Sequence, residues 1–479
     1  MIPHDPAQVA RLLLSRHNCT LVKCTPIQRL WAGYGSICAI TAQANDDDAA
    51  KYASRICDPN SLAKGQAKAG AEFKLILKLI TAPESSSAGL GLDEGHLRKM
   101  FSYEVERYFY ECIVPELDGL GVAGCFALTG GENRNKSQDV PRNSNEEGED
   151  SADRLDGCMA ILMADLRNLF PVSGEKRSVL SSVQVFGALE WLARFHSRSW
   201  ELGIGLGSIP TSSESRPGPG SGVDGEQGLG FILPPLEEHA RRIKQKQKHE
   251  GGDIGQNVWL NGGYTYLSTR RKEYTSLAED DSEWSSAFCD PFSNSPTSIT
   301  GTSSMSTAEA AALCLTPRGR IMESLIHGDV KSENLFTSRS GEDVAFFDFQ
   351  YVGLGLGVCD LAKLFTCSVS VEMLLGSDFQ GYLPDSLSIC TGEKELLERY
   401  HRSLLRSPQS RSRSQEGKGI YDWDTFLRHW ETALVDWCRF QASWGFWGNT
   451  EWLEARVRSI LNDQGWRNWL EDDIEKYKV

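Results

Sequence analysis

The stretch LIHGDVKSENLFTSRSGEDVAFFDFQ, Leu325 to Gln350, limits what this chain can fold into more than any other. An apolar run at Ser324-Leu325-Ile326 leads into the polar HGDVKSE, and Leu335-Phe336 and VAFF then flank the turn residues SRSGED. Turn formers between short apolar runs predict a β-hairpin. Hairpin strands run antiparallel, so Asn334 at the start of the first and Asp348 at the end of the second return side by side, with Asp329 on the loop leading in.

An amide oxygen and a carboxylate held together suit a hard cation, and Mg2+ carrying a nucleotide's phosphates fits that demand. An Asp, an Asn five residues on and an Asp closing a hairpin form the kinase arrangement of a catalytic base and two metal ligands. Any one of these residues alone reads as a solvated charged turn. The combination H-G-D-x-x-x-x-N with an apolar-D-F beyond it points to chemistry.

A chain of 479 residues suits two lobes with loop insertions. Its 50 basic and 65 acidic residues give a formal charge of -15, which argues against nucleic acid or an anionic membrane surface as the main partner. The 13 cysteines stand singly without a C-x-x-C pair, and the start MIPHDPAQVARLLL lacks a signal-peptide profile. Both features predict reduced thiols in a cytoplasmic protein. No uninterrupted apolar stretch approaches the roughly 18 residues that span a bilayer.

Apolar periodicity predicts a short helix over Ala7 to His17 and strands in LVKCTPIQRLW, SICAITA and FKLILKLI, the last with Lys74 and Lys78 on one polar edge. LRKMFSYEVERYFYECIVPEL reads as an amphipathic helix, Val122 to Leu128 as a strand, and VQVFGALEWLARFHSRSW as a strongly apolar helix. Residues 130–157 are polar and acidic and predict a disordered insertion. The low-complexity segments 209–228, 280–306 and 407–419 read as loops extending one scaffold. EEHARRIKQKQK reads as a basic helix with a solvated face. Asp422 to Lys478 reads as helical and is rich in Trp.

HGDVKSEN, FFDFQ and the following GLGLGVCDLA together resemble the aminoglycoside phosphotransferase and choline kinase-like superfamily, close to its ecdysteroid kinase-like branch. The resemblance implies an α+β, bilobal, protein-kinase-like fold: an N-terminal lobe over 1–165 with an antiparallel sheet plus a helix, and a mostly helical C-terminal lobe over 166–479. It implies transfer of the γ-phosphoryl of ATP, with Mg2+, to a hydroxyl on a small molecule. Asp329 would be the catalytic base and Asn334 and Asp348 the metal ligands, with Asp360 tying down the loop. Lys331, placed as in many protein kinases, would steady the γ-phosphate.

For the nucleotide, the resemblance points to Lys78 as the phosphate-contacting strand Lys and to Glu106 as the helix Glu that holds it; Glu104 is the rival. The Gly33-Tyr34-Gly35-Ser36 turn would lie over the phosphates, its backbone N–H groups facing them. Backbone groups from Met163 to Asp165 would meet the adenine. His196 resembles a structural His of the family.

In the resembling family the acceptor pocket lies in the C-terminal lobe. Trp430, Trp437, Trp444 and Trp447, with Glu431 and Asp436, could hold a cationic amine by cation–π attraction; the seven-residue recurrence of the first three favours instead one helix face packing a core. Arg270-Arg271 reads as solvated surface or as a phosphate or substrate contact. A protein Ser/Thr kinase remains a rival, supported by Lys331 and opposed by D-F-Q and by the lack of H-R-D and A-P-E. A nucleotide-binding pseudokinase or scaffold is the other rival, although every catalytic position is filled by a competent residue.

Overall fold

The computed structural model describes residues 5–58, 67–81, 93–129, 158–201, 231–247, 257–292, 305–378, 381–406 and 421–476. The predicted insertions 130–157, 209–228 and 407–419 lie outside the described residues, as do 293–304 of the segment 280–306. The chain falls into two units, residues 1–103, 110–118 and 122–169 in the first and 104–109, 119–121 and 170–479 in the second. The combination of an antiparallel sheet with many helices is the α+β class that the sequence implies.

The first unit begins with α1 (Pro6–Ser15), whose N-cap Asp5 accepts from the Ala7 N–H. Five strands follow, β1 (Cys19–Arg29), β2 (Gly35–Ala44), β3 (Glu72–Ile80), β4 (Cys125–Leu128) and β5 (Met159–Ala164), in the order β1-β2-β3-β5-β4 with every neighbour antiparallel. Leu75, Leu77 and Leu79 alternate along β3 onto one face, where they share a core with Leu13 and Leu14 of α1 and with Ala160 and Leu162 of β5. Helix α2 (Asp47–Cys57), capped by Asp46, packs there through Ala49, Ala50 and Ala53. Those alanines give a weak apolar signal, and the sequence reading passes over the helix.

Lys78 belongs to the opposite face of β3. The expected polar edge does not occur, because β3 lies inside the sheet between β2 and β5 and Lys78 is only 4% exposed. Helix α3 (Glu94–Tyr108) passes from the first unit into the second at Glu104. It ends sooner than the apolar pattern predicts, giving way to a π turn at Phe109–Ile113 and a 3-10 turn at Val114–Glu116, where Pro115 cannot continue the ladder.

In the second unit β6 (Val172–Ser173) opens a path to α4 (Ser182–Glu201), β7 (Phe231–Ile232) and α5 (Pro235–Gln247). Then come β8 (Val258–Trp259), α6 (Arg271–Ala278), α7 (Glu283–Cys289) and α8 (Thr307–Leu315). Helix α7 corrects the reading of 280–306 as loop throughout. Its Ser-rich neighbourhood hides two aromatic anchors, Trp284 and Phe288, which stack on each other in the core.

Strands β9 (Ser324–Ile326), β10 (Leu335–Thr337), β11 (Val344–Phe346) and β12 (Gly353–Gly355) carry the segment from Leu325 onward. The hairpin forms as the turn residues predict, with Leu335 opposite Phe346 and Thr337 opposite Val344. After it come α9 (Val358–Ser368), α10 (Val371–Leu375), α11 (Thr391–Leu404), α12 (Trp423–Trp444), α13 (Thr450–Leu461) and α14 (Gln464–Glu475). Among the described residues no helix is long and apolar enough to cross a membrane.

Candidate active site

The loop between β9 and β10 is held by a buried carboxylate on α9. Asp360 accepts the His327 N–H at 2.7 Å and the Gly328 N–H at 2.9 Å, and its Oδ2 lies 3.2 Å from Nε2 of His196. Burial pushes the Asp360 carboxyl up, but the His196 hydrogen bond and the charges of His196 and Lys363 outweigh burial and hold it below the usual carboxylate range. Lys363, one turn along the same helix, donates to the Gly328 carbonyl. Both backbone groups of Gly328 are thereby fixed.

Gly328 has φ of +83°, and a Cβ there would lie 2.5 Å from the Tyr351 carbonyl oxygen and 2.7 Å from the Gly263 nitrogen. No side chain fits. This is the physical reason that the sequence reads H-G-D and not H-R-D.

His327 is buried among Phe346 and Phe349. Its Nε2 donates to the Phe347 carbonyl at 3.0 Å and its Nδ1 accepts the Asp329 N–H at 3.3 Å. Those partners assign the neutral tautomer with the proton on Nε2, and burial holds its pKa below the ordinary value.

Asp329 is 8% exposed and gripped from two sides. Nδ2 of Asn334 donates to its Oδ2 at 2.9 Å and to its main-chain carbonyl at 2.8 Å, and Nζ of Lys331 lies 3.1 Å from the same Oδ2. With its nitrogen committed to Asp329, the Asn334 amide offers its oxygen on the opposite fork. Lys331 also meets Glu333 at 3.0 Å. Burial would lower the Lys331 pKa, but Asp329 and Glu333 reverse that and raise it, so the side chain is a fixed cation.

The hairpin closes as expected: the Phe347 N–H donates to the Asn334 carbonyl at 3.0 Å, which sets Asp348 beside the amide. Asp348 adopts the left-handed region with φ of +66°, costly for a non-glycine residue. The structure thus brings Asp329, Lys331 and Asn334 into direct contact and sets Asp348 next in line. One amide oxygen and one carboxylate fall short of a closed metal cage. That set suits Mg2+, which commonly keeps waters and takes its remaining ligands from substrate phosphates.

An aromatic column, which sequence reasoning missed, links this loop to α3. Phe109 stacks on Phe349 with centroids 4.0 Å apart, and Phe349 lies 4.7 Å from the His327 ring. Trp191 and Phe195 of α4 flank the column. Glu106 lies on α3 just before Phe109 and is 1% exposed, whereas Glu104 forms a two-pronged ion pair with Arg242 of α5. The rival acid is therefore engaged by Arg242.

In the first unit, Lys78 pairs across the sheet with Ile37 and Ile161, and its ammonium lies 5.5 Å from the Tyr103 ring. Gly35 has φ of +133°, and a Cβ there would lie 2.0 Å from the Leu79 carbonyl oxygen, so the turn and β3 meet only through glycine. Gly33 also has a positive φ. The N–H groups of Gly33 and Tyr34 do not point outward as expected, because they donate to the Leu30 and Trp31 carbonyls within the turn. At the predicted hinge Met163 pairs with Ile76 and Cys125, and the N–H groups of Ala164 and Asp165 donate to Gly124 and Lys74. The Asp165 carboxylate closes on Arg167 at 2.7 Å. These main-chain donors serve the sheet.

Trp430 is fully buried and donates to Glu393 at 2.8 Å, so it is core. Trp437 is buried as well, while Trp444 is 56% exposed. Two cations of this chain already lie on the aromatic faces. The Arg270 guanidinium lies 5.0 Å from the Trp444 ring and 5.6 Å from Tyr264 and Phe440, and the Lys363 ammonium lies 5.6 Å from Tyr264 and 5.8 Å from Trp437. Arg270, expected on a solvated surface or at substrate, is 5% exposed and donates to the Tyr264 carbonyl.

The sequence model of the phosphotransferase enzyme family matches residues 307–390, which span α8, the loop between β9 and β10, the hairpin, α9 and α10. The superfamily resemblance carried by HGDVKSEN and FFDFQ therefore stands on a family match over the same residues. No curated protein matches the chain. Among solved structures, the chain is similar to a type VIII aminoglycoside-3'-phosphotransferase, with 12% identity, a TM-score of 0.30, and 90% of this chain and 100% of that one covered. It is similar also to a Plasmodium vivax ethanolamine kinase, at 10% identity and TM-score 0.33, over 96% of this chain and 82% of that one. For a choline kinase from Cryptosporidium parvum the values are 10%, 0.34, 96% and 88%.

Proposed function

We propose that this protein transfers the γ-phosphoryl of ATP, with Mg2+, to a hydroxyl of a small molecule. The observation that carries the reading is Asp329, held by Asn334 and Lys331 on a loop whose backbone is clamped by Asp360 and Lys363. A carboxylate fixed in this way is positioned to orient an acceptor hydroxyl and take its proton.

In that step the acceptor oxygen bonds to the γ-phosphorus as the bond to the β–γ bridging oxygen breaks, ADP leaves, and the hydroxyl proton passes to Asp329. The Asn334 amide oxygen and the Asp348 carboxylate would hold Mg2+, which when bound neutralises phosphate charge. Lys331, a permanent cation beside the base, would steady the transferring group. Lys78 would hold the α- and β-phosphates, Glu106 would hold Lys78, and the turn containing Gly33 and Gly35 would cover the nucleotide by its shape. The stretch from Met163 to Asp165 would flank the adenine.

The acceptor favoured is neutral or acidic, because Arg270 and Lys363 take the aromatic faces that a cationic amine would need. Incubation with Mg2+ and γ-labelled ATP, over small-molecule and protein fractions of a cell extract, tests the reading. Label in a small molecule, lost in Asp329→Asn, supports it; label confined to protein moves the assignment to a protein kinase.

A further inference from the structure

The charge run EEHARRIKQKQK reads from sequence as a solvated face, but the structure uses it as a fastening. Arg242 of α5 sends Nη2 to Oε2 of Glu104 at 2.8 Å and Nη1 to Oε1 at 3.2 Å, and its Nε donates to Glu238 at 2.7 Å. Glu238 is fully buried, and it also accepts from Arg241 at 2.7 Å and from the Leu233 N–H at 3.2 Å. The Arg242 side chain is 15% exposed and that of Glu104 is 25% exposed. Bidentate guanidinium–carboxylate pairs fix orientation as well as distance. The other charge near the pair is Arg107, one turn along α3.

Glu104 and Glu106 are two residues apart, which on a helix turns them about 200° from each other. Arg242 therefore grips one side of α3 while Glu106 is buried on the other. Beyond Glu106, Phe109 stacks on Phe349 next to Asp348. The end of α3 and the π turn after it are thus held by an aromatic contact that tolerates sliding and by an ion pair that resists roll about the helix axis.

We infer that Arg242 is a positioning residue for nucleotide phosphates, setting the rotation of α3 and with it the direction of Glu106. The inference rests on the proposed role of Glu106 and Lys78. It makes α5 part of the phosphotransfer apparatus through its ion pair with α3.

The test is calorimetric binding of MgATP and, separately, of adenosine, to the wild type, Arg242→Ala, Arg242→Lys, Glu104→Gln and Lys78→Met. The inference expects Arg242→Ala to weaken MgATP roughly tenfold and to leave adenosine within about twofold, with a smaller loss of the same kind in Arg242→Lys and in Glu104→Gln. A folded Arg242→Ala protein that binds MgATP like the wild type overturns it, as does an equal loss for ATP and adenosine, which marks a structural role. If Arg242→Ala does not fold, Arg242→Lys and Glu104→Gln decide by the same ratio. Loss of MgATP binding in Lys78→Met but not in the Arg242 variants removes this inference alone. Unchanged binding in Lys78→Met, or no binding by the wild type, removes the nucleotide reading beneath it.

Discussion

At Gly328 one missing side chain decides how the loop between β9 and β10 closes. A methyl group there would meet both the Tyr351 carbonyl and the Gly263 nitrogen, in a backbone region that L-residues avoid. Gly328→Ala is expected to lose at least about 2 kcal/mol of stability, read as a lower urea midpoint, and to abolish transfer. The buried imidazoles make a second residue-scale prediction. His327 is held below its free value by burial, and His429, buried and bonded to the Tyr421 hydroxyl, is held down to about 3. A histidine depressed in the folded state contributes stability that is fully present above the unfolded value of 6.5 and drains away as pH falls, because the unfolded chain takes up the proton first. The thermal midpoint should therefore be flat from about pH 7 to 8 and fall toward pH 5, with a shallower fall in His429→Gln; an unchanged slope in that variant would remove His429 from the account. At this scale the sequence displayed Asp329, Asn334 and Asp348 through their spacing. It could not display the three-way grip on Asp329, the raised Lys331, or the Asp348 backbone, which depend on distances that only the closed hairpin creates.

The hairpin from Leu335 to Phe346 was legible because turn chemistry and short apolar runs are local signals, and its register sets Phe347, one residue before Asp348, opposite Asn334. What clamps it was half legible. Asp360 stood out by its motif, but its two backbone donors come from 32 and 33 residues away. Asp360→Ala is expected to cost about 3–5 kcal/mol and to lower kcat far more than it weakens MgATP, since it releases the loop that carries Asp329, the proposed base. Equal stability of this variant in chemical denaturation would contradict the clamp. Elements stabilised by distant partners were misread. Helix α5 looked like a solvated charge run because Glu104 lies 138 residues before Arg242, and α7 looked like loop because two aromatic residues decide it against a Ser-rich background.

Across the whole molecule, an α+β chain with a phosphotransferase-family match over residues 307–390 carries two units whose boundaries were approachable from sequence only by analogy with the resembling family. The acceptor was the least legible feature. The C-terminal Trp residues read more readily as core than as an amine cage, and the structure sets the Arg270 guanidinium by Trp444 and the Lys363 ammonium by Trp437. Size-matched hydroxyl compounds bearing an ammonium, no charge or a carboxylate should separate, with the ammonium compound turned over at least roughly tenfold more slowly and Arg270→Gln narrowing the gap; a preference for the ammonium compound would contradict this. The most direct measurement remains transfer of label from γ-labelled ATP in Mg2+ by the wild type beside Asp329→Asn. The account predicts a labelled small molecule with the wild type and, in the variant, a loss of roughly 10²–10⁴ in rate with MgATP binding retained. Equal labelling by the two proteins, or no transfer by a wild type supplied with the whole small-molecule fraction, would contradict it.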